Sequence, residues 1–324
     1  MIIVQTPLRI SFFGGGTDFP SYFLKEGGCV LTTAIDKYIF VTIKQRFDEM
    51  LRIGYTRTEM VESVDQIQHE LIREAFRKTG LQKGVEITTM GDIPAGTGLG
   101  SSSTVTVGTL HAMYTYLDQP VHPEQLASGA CQIEIDTLHK PIGFQDQYIA
   151  AYGGFKLLEF QQDGSTKITN IKLDEPRKQQ LSENLLLFYT GMKRHAESIL
   201  TEQKNNIQDR LPILHHLKEM ATNALDELQN GNIDCIGEML DESWHLKKQL
   251  ASGISNDLID TYYQTARKAG ALGGKVTGAG GGGFLLLYCP RDKRDAVRNA
   301  LNGLREIPIQ LEPSGSKVIF DYRR

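Results

Sequence analysis

Cysteine is scarce in this 324-residue chain: four residues, Cys29, Cys131, Cys235 and Cys289, far apart and with no CxxC pair. That excludes a disulfide scaffold and a zinc knuckle, and predicts reduced thiols in a cytoplasmic protein. An excess of positive charge is also missing. Lys and Arg number 35 against 39 Asp and Glu, a net charge of −4, so no nucleic-acid partner is expected. No apolar run approaches the ~20 residues of a membrane-spanning helix, and the longest, Phe284–Cys289, has the length of a strand. The opening MIIVQTPLRISFF has no basic stretch ahead of a long apolar one, so no secretory leader and no membrane partner are expected. The phosphate-loop pattern GxxxxGK(S/T) does not occur, and residues 84 to 139 hold no lysine at all. A Walker-type nucleotide site is therefore excluded.

A chain of this length forms two domains or one large one. With 40% hydrophobic and 23% charged residues it has an ordinary globular balance and buries a core without covalent staples. Ile2–Phe13 predicts a strand, and Cys29–Ala34 and Lys37–Gln45, rich in Val, Ile, Thr, Tyr and Phe, predict two more. Val64, Ile67, Leu71, Ile72, Ala75 and Phe76 recur at helical spacing over Val64–Lys78. Gly84–Thr89 alternates as a half-buried strand, residues 105–117 and Pro123–Asp136 read as helices, and Tyr152–Phe160 opens further strand. Later, Asn184–Tyr189 and Phe284–Cys289 predict strands. His195–Asn230, Asp234–Leu250, Asp257–Lys268 and Arg291–Leu304 predict helices, and Ser316–Tyr322 a closing strand. A strand-rich first half and a helix-dominated second half give an α+β class. The change of texture lies near residues 170–182, which divides the chain into 1–175 and 176–324.

Glycine is what the chain has in excess, 32 residues, about 10% against the usual ~7%. Three clusters hold the information. Pro94-Ala-Gly-Thr-Gly-Leu-Gly-Ser-Ser-Ser-Thr104 runs strand, glycine turn, serine run, helix. That order suits phosphate: glycines bring backbone N–H groups close, and the helix N-terminus adds positive potential. Ser101, Ser102 and Ser103 stand where cap and first-turn residues belong, and their hydroxyls suit Mg²⁺; a serine-capped turn without a ligand fits the same segment. Gly278-Ala-Gly-Gly-Gly-Gly283 matches GxGxxG only by spelling, because a strand follows where a dinucleotide fold needs a helix. It reads as a loop whose backbone approaches a ligand, or as a plain hairpin. The third cluster, Arg9-Ile-Ser-Phe-Phe-Gly-Gly-Gly-Thr-Asp18, puts a cation inside an apolar strand, which predicts a buried acidic partner. Glu134, Asp136 and Asp146 are the acidic candidates. Phosphoryl transfer needs one carboxylate for Mg²⁺ and one at the acceptor hydroxyl.

In this order the three blocks resemble the GHMP kinase superfamily over nearly the whole chain. The carriers are Thr6-Pro-Leu-Arg9 with Gly14–Asp18, the Pro94–Thr104 block and Lys275-Val-Thr-Gly-Ala-Gly-Gly-Gly-Gly-Phe284. Within it the chain is most similar to the D-glycero-D-manno-heptose 7-phosphate kinase branch, through Arg9–Asp18, Gln145-Asp-Gln-Tyr148, Ala150-Ala-Tyr-Gly-Gly154 and Thr190-Gly-Met-Lys-Arg194. Gly15 stands where galactokinases tend to carry an acidic residue, and Phe144 where some heptose kinases carry Lys. The resemblance implies a two-domain α+β fold with the active site in the cleft, a small-molecule sugar-phosphate substrate, ATP and Mg²⁺, and a monomer or homodimer. It implies that Pro94, Gly96, Gly98, Leu99, Gly100, Ser101, Ser102 and Ser103 wrap the ATP phosphates. Ser102, with Ser101 as the near alternative, and Glu134 would hold Mg²⁺. Asp146 is implied as the catalytic carboxylate and Arg9 as its ion partner. Gly14, Gly15, Gly16, Thr17 and Asp18 would meet the sugar, and Gly278, Gly280 and Gly281 the substrate or the moving phosphate. Lys193 and Arg194, a basic pair after the strand Asn184–Tyr189, are expected at a phosphate remote from the reacting hydroxyl.

Overall fold

In the computed structural model, residues 1–192 and 196–323 are described. The first strand, Ile2–Phe13, is buried along nearly its whole length because it lies inside an eight-stranded sheet. The sheet runs Lys317–Asp321, Ile2–Phe13, Gly28–Gln45, Val85–Gly91, Leu51–Gly54, Thr58–Val61, with Phe155–Phe160 also paired to Gly28–Gln45 and Thr166–Asn170 beyond it. One neighbouring pair, Leu51–Gly54 with Val85–Gly91, is parallel; the others are antiparallel. Gly28–Gln45 is one continuous strand where two were expected. The expected break at Ile35 and Asp36 is bridged by a register shift that skips Asp36 and Lys37, with Pro7 opposite Tyr38 and Leu8 opposite Ile35. A second shift leaves Phe12 as a bulge between Ser11, opposite Thr32, and Phe13, opposite Leu31.

A four-stranded antiparallel sheet forms the other half, in the order Arg305–Glu306, Leu185–Tyr189, Phe284–Tyr288, Gly273–Val276. Helices Leu211–Asn230 and Cys235–Lys247 pack on one another and against both halves. The long helix expected over 195–230 is divided. Its described part is Ala196–Asn205, a 3₁₀ turn Gln208–Arg210, and Leu211–Asn230. Pro212 stands in the first turn of that last helix, where a missing N–H costs nothing. The helix expected over Pro123–Asp136 is α-helical to Cys131 and continues as a π-helical turn, Gln132–Thr137. Such turns are rare and gather at functional sites; this one carries Glu134.

The closing strand crosses the expected division of the chain at 175/176. Lys317–Asp321 pairs with Ile2–Gln5 in the first sheet, so the second half does not keep its last residues. The returning segment is stitched to the first half on the way. Leu311 bridges Ile35, Glu312 N–H donates to Ala34 O at 3.0 Å, and Ser316 N–H donates to Ala150 O at 2.9 Å. No helix among the described residues is long and apolar enough to cross a membrane.

Candidate active site

Arg9 is 5% exposed, and the acidic partner that its burial demands is Asp146. Arg9 Nε donates to Asp146 Oδ1 and Arg9 Nη2 to Asp146 Oδ2, both at 2.7 Å. This bidentate fork is the strong, directional form of an ion pair. The third arm, Nη1, donates to Gly98 O at 2.7 Å, and the Arg9 backbone N–H to Leu99 O at 3.1 Å. One residue of the first strand therefore fixes both the carboxylate at the start of helix Gln145–Tyr152 and the glycine loop ahead of helix Ser101–Tyr116. Gly100 is needed for this: its φ is +81°, and a Cβ there would stand 3.2 Å from Arg9 Cγ and 3.3 Å from Asp146 Oδ2.

The serine run meets Glu134 at the helix start. Ser102 Oγ donates to Glu134 Oε1 at 3.0 Å, and Gln147 Nε2 to Glu134 Oε2 at 2.7 Å. Of Ser101 and Ser102, Ser102 is thus the one hydrogen-bonded to the acid. Glu134 is fully buried, and burial pushes its carboxyl up to about 7, aided by the charge of Asp146 and opposed by hydrogen bonds from Ser103, Gln147 and Ser102. Among the described residues no cluster of three or more His, Cys, Asp or Glu side chains is placed to hold a metal unaided.

A cavity of about 90 Å³ opens beside Asp146, between the halves. Arg9, Gly15, Gly16, Asp18 and Asp146 line it from the first half, Lys247, Lys275 and Gly278 from the second. Asp18 does more than face the cavity. Its Oδ1 accepts from Gly16 N–H at 3.0 Å and its Oδ2 from Gln145 N–H at 3.2 Å, so it also fixes the first turn of the helix carrying Asp146. Burial, with the charge of Asp146 adding to it, raises the Asp18 carboxyl above its ordinary value.

Four of the residues expected at the substrate, Gly14, Thr17, Gly280 and Gly281, are not in the lining of this cavity. Thr17 is fully buried and its hydroxyl donates to Gly14 O and Cys29 O, which ties the glycine turn to the second strand. A Cβ at Gly14 would meet Cys29 O, so this glycine serves that packing. Gly281 N–H donates to Ile254 O at 2.7 Å, and a Cβ at Gly280 would stand 2.6 Å from the same oxygen. Gly278 alone of the three late glycines lines the cavity. Lys193 and Arg194 lie outside the described residues. Phe144 packs with Phe23, ring centroids 5.1 Å apart, and with Phe160, an aromatic cluster that a Lys at this position could not join.

The late glycine loop lies on the phosphate loop: Thr277 Oγ1 donates to Thr97 O at 3.4 Å. Beyond it, a cavity of about 670 Å³ is lined by Ile39, Tyr55, His69, Leu71, Met90 and Ile93 and reaches Gly96, Ser101 and Ser102. These residues come from four separate segments and were missed in the sequence. Tyr55 meets His69 edge-on at 4.8 Å, and burial lowers the His69 pKa, so the ring is neutral at pH 7. Lys275 was also passed over. It is 4% exposed, donates to Phe12 O at 2.8 Å, and has its pKa lowered to about 7 by burial and then by Arg9. The bulge at Phe12 frees that carbonyl from the strand ladder.

A held carboxylate in a small polar cavity, a glycine loop on a helix N-terminus and a large half-apolar cavity beyond it form a row suited to moving a phosphoryl group from a nucleotide to a hydroxyl. Comparison with known proteins bears on this. Residues 63–154 match the model of the GHMP kinases N terminal domain and residues 224–304 that of the GHMP kinases C terminal. The chain is 31% identical to the D-glycero-alpha-D-manno-heptose 7-phosphate kinase of Campylobacter jejuni, over 93% of each chain, and 27% identical to the galactokinase of Pyrococcus furiosus, over 94% of this chain and 93% of that one. A solved D-glycero-D-manno-heptose 1-phosphate kinase from Bacteroides thetaiotaomicron superposes with a TM-score of 0.84 at 27% identity, covering 100% of both chains. The chain belongs to the GHMP kinase family and is an ATP-dependent kinase whose acceptor is an alcohol group.

Proposed function

We propose that the acceptor is D-glycero-D-manno-heptose 7-phosphate, phosphorylated on its anomeric hydroxyl to give the 1,7-bisphosphate in the cytoplasm, by a monomer or homodimer. The observation that carries the reading is the Arg9–Asp146 fork at the wall of the interdomain cavity. The fork occupies one lone pair on each carboxylate oxygen, leaves another free and fixes where the carboxylate points. Asp146 therefore orients the hydroxyl and takes its proton as the oxygen attacks the γ-phosphorus. An anomeric hydroxyl is more acidic than an ordinary alcohol, so a weak base suffices, and alignment supplies most of the rate. Pro94–Ser103 cradles the ATP phosphates through its backbone and the N-terminus of helix Ser101–Tyr116. The base lies in the Tyr55–His69–Met90 cavity. Residues 1–175, with 317–321, form the nucleotide-side domain, and the remainder the domain that closes over the acceptor. Asp18, Gly15, Gly16 and Gly278 contact the sugar, and Lys193 and Arg194 its remote phosphate.

Mg²⁺ fits the donor set at Glu134. This carboxyl is buried with no Lys or Arg in ion-pair contact among the described residues, and a serine hydroxyl bonds to it. Mg²⁺ takes one or two protein oxygens and completes its shell with phosphates and water. Glu134 and Ser102 would supply those oxygens, and the ion would neutralise charge on the transferred phosphoryl group. The test is a coupled ADP-release screen across sugar monophosphates, free sugars and mevalonate. Heptose 7-phosphate is expected to have the highest kcat/KM; equal use of free heptose, or preference for mevalonate, refutes the reading.

A further inference from the structure

On the wall of the acceptor cavity, three polar groups have hydrogen-bonding capacity that the reaction described above leaves unused. Ser11 Oγ and Gln145 Oε1 are buried without a hydrogen-bond partner among the described residues. Lys275 Nζ spends one donor, on Phe12 O at 2.8 Å, and keeps at least one in either protonation state. All three residues line the cavity that holds Arg9 and Asp146. They reach it from three elements: the first strand, the first residue of helix Gln145–Tyr152, and strand Gly273–Val276 of the second sheet. Gly15 leaves room between two of them. A Cβ there would stand 3.7 Å from Ser11 Oγ and 3.8 Å from Gln145 Nε2, with nothing else within 4 Å.

Buried polar atoms without partners are costly and few in native proteins; of the eight side-chain atoms of this kind among the described residues, two, Ser11 Oγ and Gln145 Oε1, lie beside the reacting group. A sugar hydroxyl has one proton to donate and two lone pairs. Gln145 Oε1 is an acceptor; the Ser11 hydroxyl and the Lys275 amino group are donors. The two inventories match.

We propose that Ser11, Gln145 and Lys275 together read a hydroxyl vicinal to the one that Asp146 orients. That hydroxyl donates to Gln145 Oε1 and accepts from Ser11 Oγ and Lys275 Nζ. For an anomeric acceptor it is the 2-hydroxyl. The inference rests on Asp146 holding the reacting hydroxyl, and it makes acceptor choice depend on a polar site that a deoxy analogue leaves unpaired.

The test compares heptose 7-phosphate with its 2-deoxy analogue in the wild type, Ser11→Ala, Gln145→Met and Lys275→Met. Wild type should discriminate by roughly 10³-fold or more in kcat/KM, as sites built around a substrate hydroxyl do. Each variant should lose about 10- to 100-fold on the full acceptor and less than about threefold on the deoxy analogue, with the KM for ATP unchanged. Ser11→Ala removes a hydroxyl that has no partner, so its ligand-free melting temperature should not fall. Equal losses on both acceptors, or a lowered melting temperature for Ser11→Ala, would make the three groups structural and overturn the inference. If the screen assigns another sugar, the same pair of acceptors is built on that sugar. Failure of the substrate reading then shows as absent turnover of the heptose, and failure of this inference as equal losses.

Discussion

Replacing Glu134 by Gln keeps the side chain's size and its contacts with Ser102 and Gln147 while removing its charge. The folded carboxyl titrates at about 7 against an ordinary 4.5. Between those values the folded chain binds more protons at this site than the unfolded chain does. Stability from this group therefore falls as pH rises through that window, and the cost is complete above about pH 7. The shift of 7 − 4.5 = 2.5, at about 1.4 kcal/mol for each pH unit, makes the cost roughly 3 kcal/mol at pH 8 and under about 1 kcal/mol at pH 5. Without nucleotide or Mg²⁺, Glu134→Gln should melt higher than wild type at pH 8, by roughly 4 °C for a chain of this size, and close to it at pH 5. With Mg²⁺ and ADP at pH 8 the order should reverse, because the wild type alone gains the full binding contribution, and the variant's activity should need far more Mg²⁺. Thermal melts at the two pH values, with and without the ligands, read every term. A variant that melts below wild type at pH 8 in the ligand-free state refutes the buried-charge argument; an unchanged Mg²⁺ titration removes Glu134 from the metal.

Asp146→Asn should lower kcat by at least ~10²-fold while moving the KM for ATP little; steady-state kinetics retaining more than about a third of wild-type kcat would refute its role as the proton acceptor. Gly143→Ala would place a Cβ 2.0 Å from Asp18 Oδ2. Displacing that carboxylate from the Gln145 N–H should raise the KM for the acceptor roughly tenfold or more, which acceptor titration at saturating ATP measures. Gly283→Ala, at φ +84° and with a Cβ 2.2 Å from Thr97 O, should push the late glycine loop off the phosphate loop, raise the KM for ATP about tenfold and lower the melting temperature. Arg194→Ala should raise the KM for a phosphorylated acceptor by roughly ten- to a hundredfold and leave that for ATP in place; loss of ATP affinity instead would move this residue away from the remote phosphate.

The parts of the site that local chemistry dictates were legible in the sequence. An arginine within an apolar strand demanded an acid, and the acid is Asp146. A serine run after a glycine turn pointed to a helix N-terminus, and Ser102 is there beside Glu134. What tertiary packing decides was not legible. Glycine at 14, 280 and 281 looks the same in sequence whether backbone or ligand comes close, and at these positions backbone does. Lys275 is one basic residue among 35 until the second sheet buries it against Phe12. The large cavity draws on residues near 39, 55, 69 and 90, and no linear motif spans them. The closing strand carries a strand pattern, but a pattern does not name its partner, and pairing across more than 300 residues is a property of the whole fold.

That pairing has a mechanical consequence. Because residues 317–321 return to the first sheet, the second half is topologically an insertion, a guest entered by one crossing after Thr166–Asn170 and left by another before Lys317. The return crossing is sewn to its host at Ile35, Ala34 and Ala150. A module held by two tethers, with helix Leu211–Asn230 packed on the host's sheet, cannot tumble as a bead on one linker does. Lys275 and Gly278 face Arg9 and Asp146 from this guest. The Arg9–Asp146 fork lies wholly within the host, while the loop that Arg9 holds is shared, since the guest's Thr277 donates to Thr97 O.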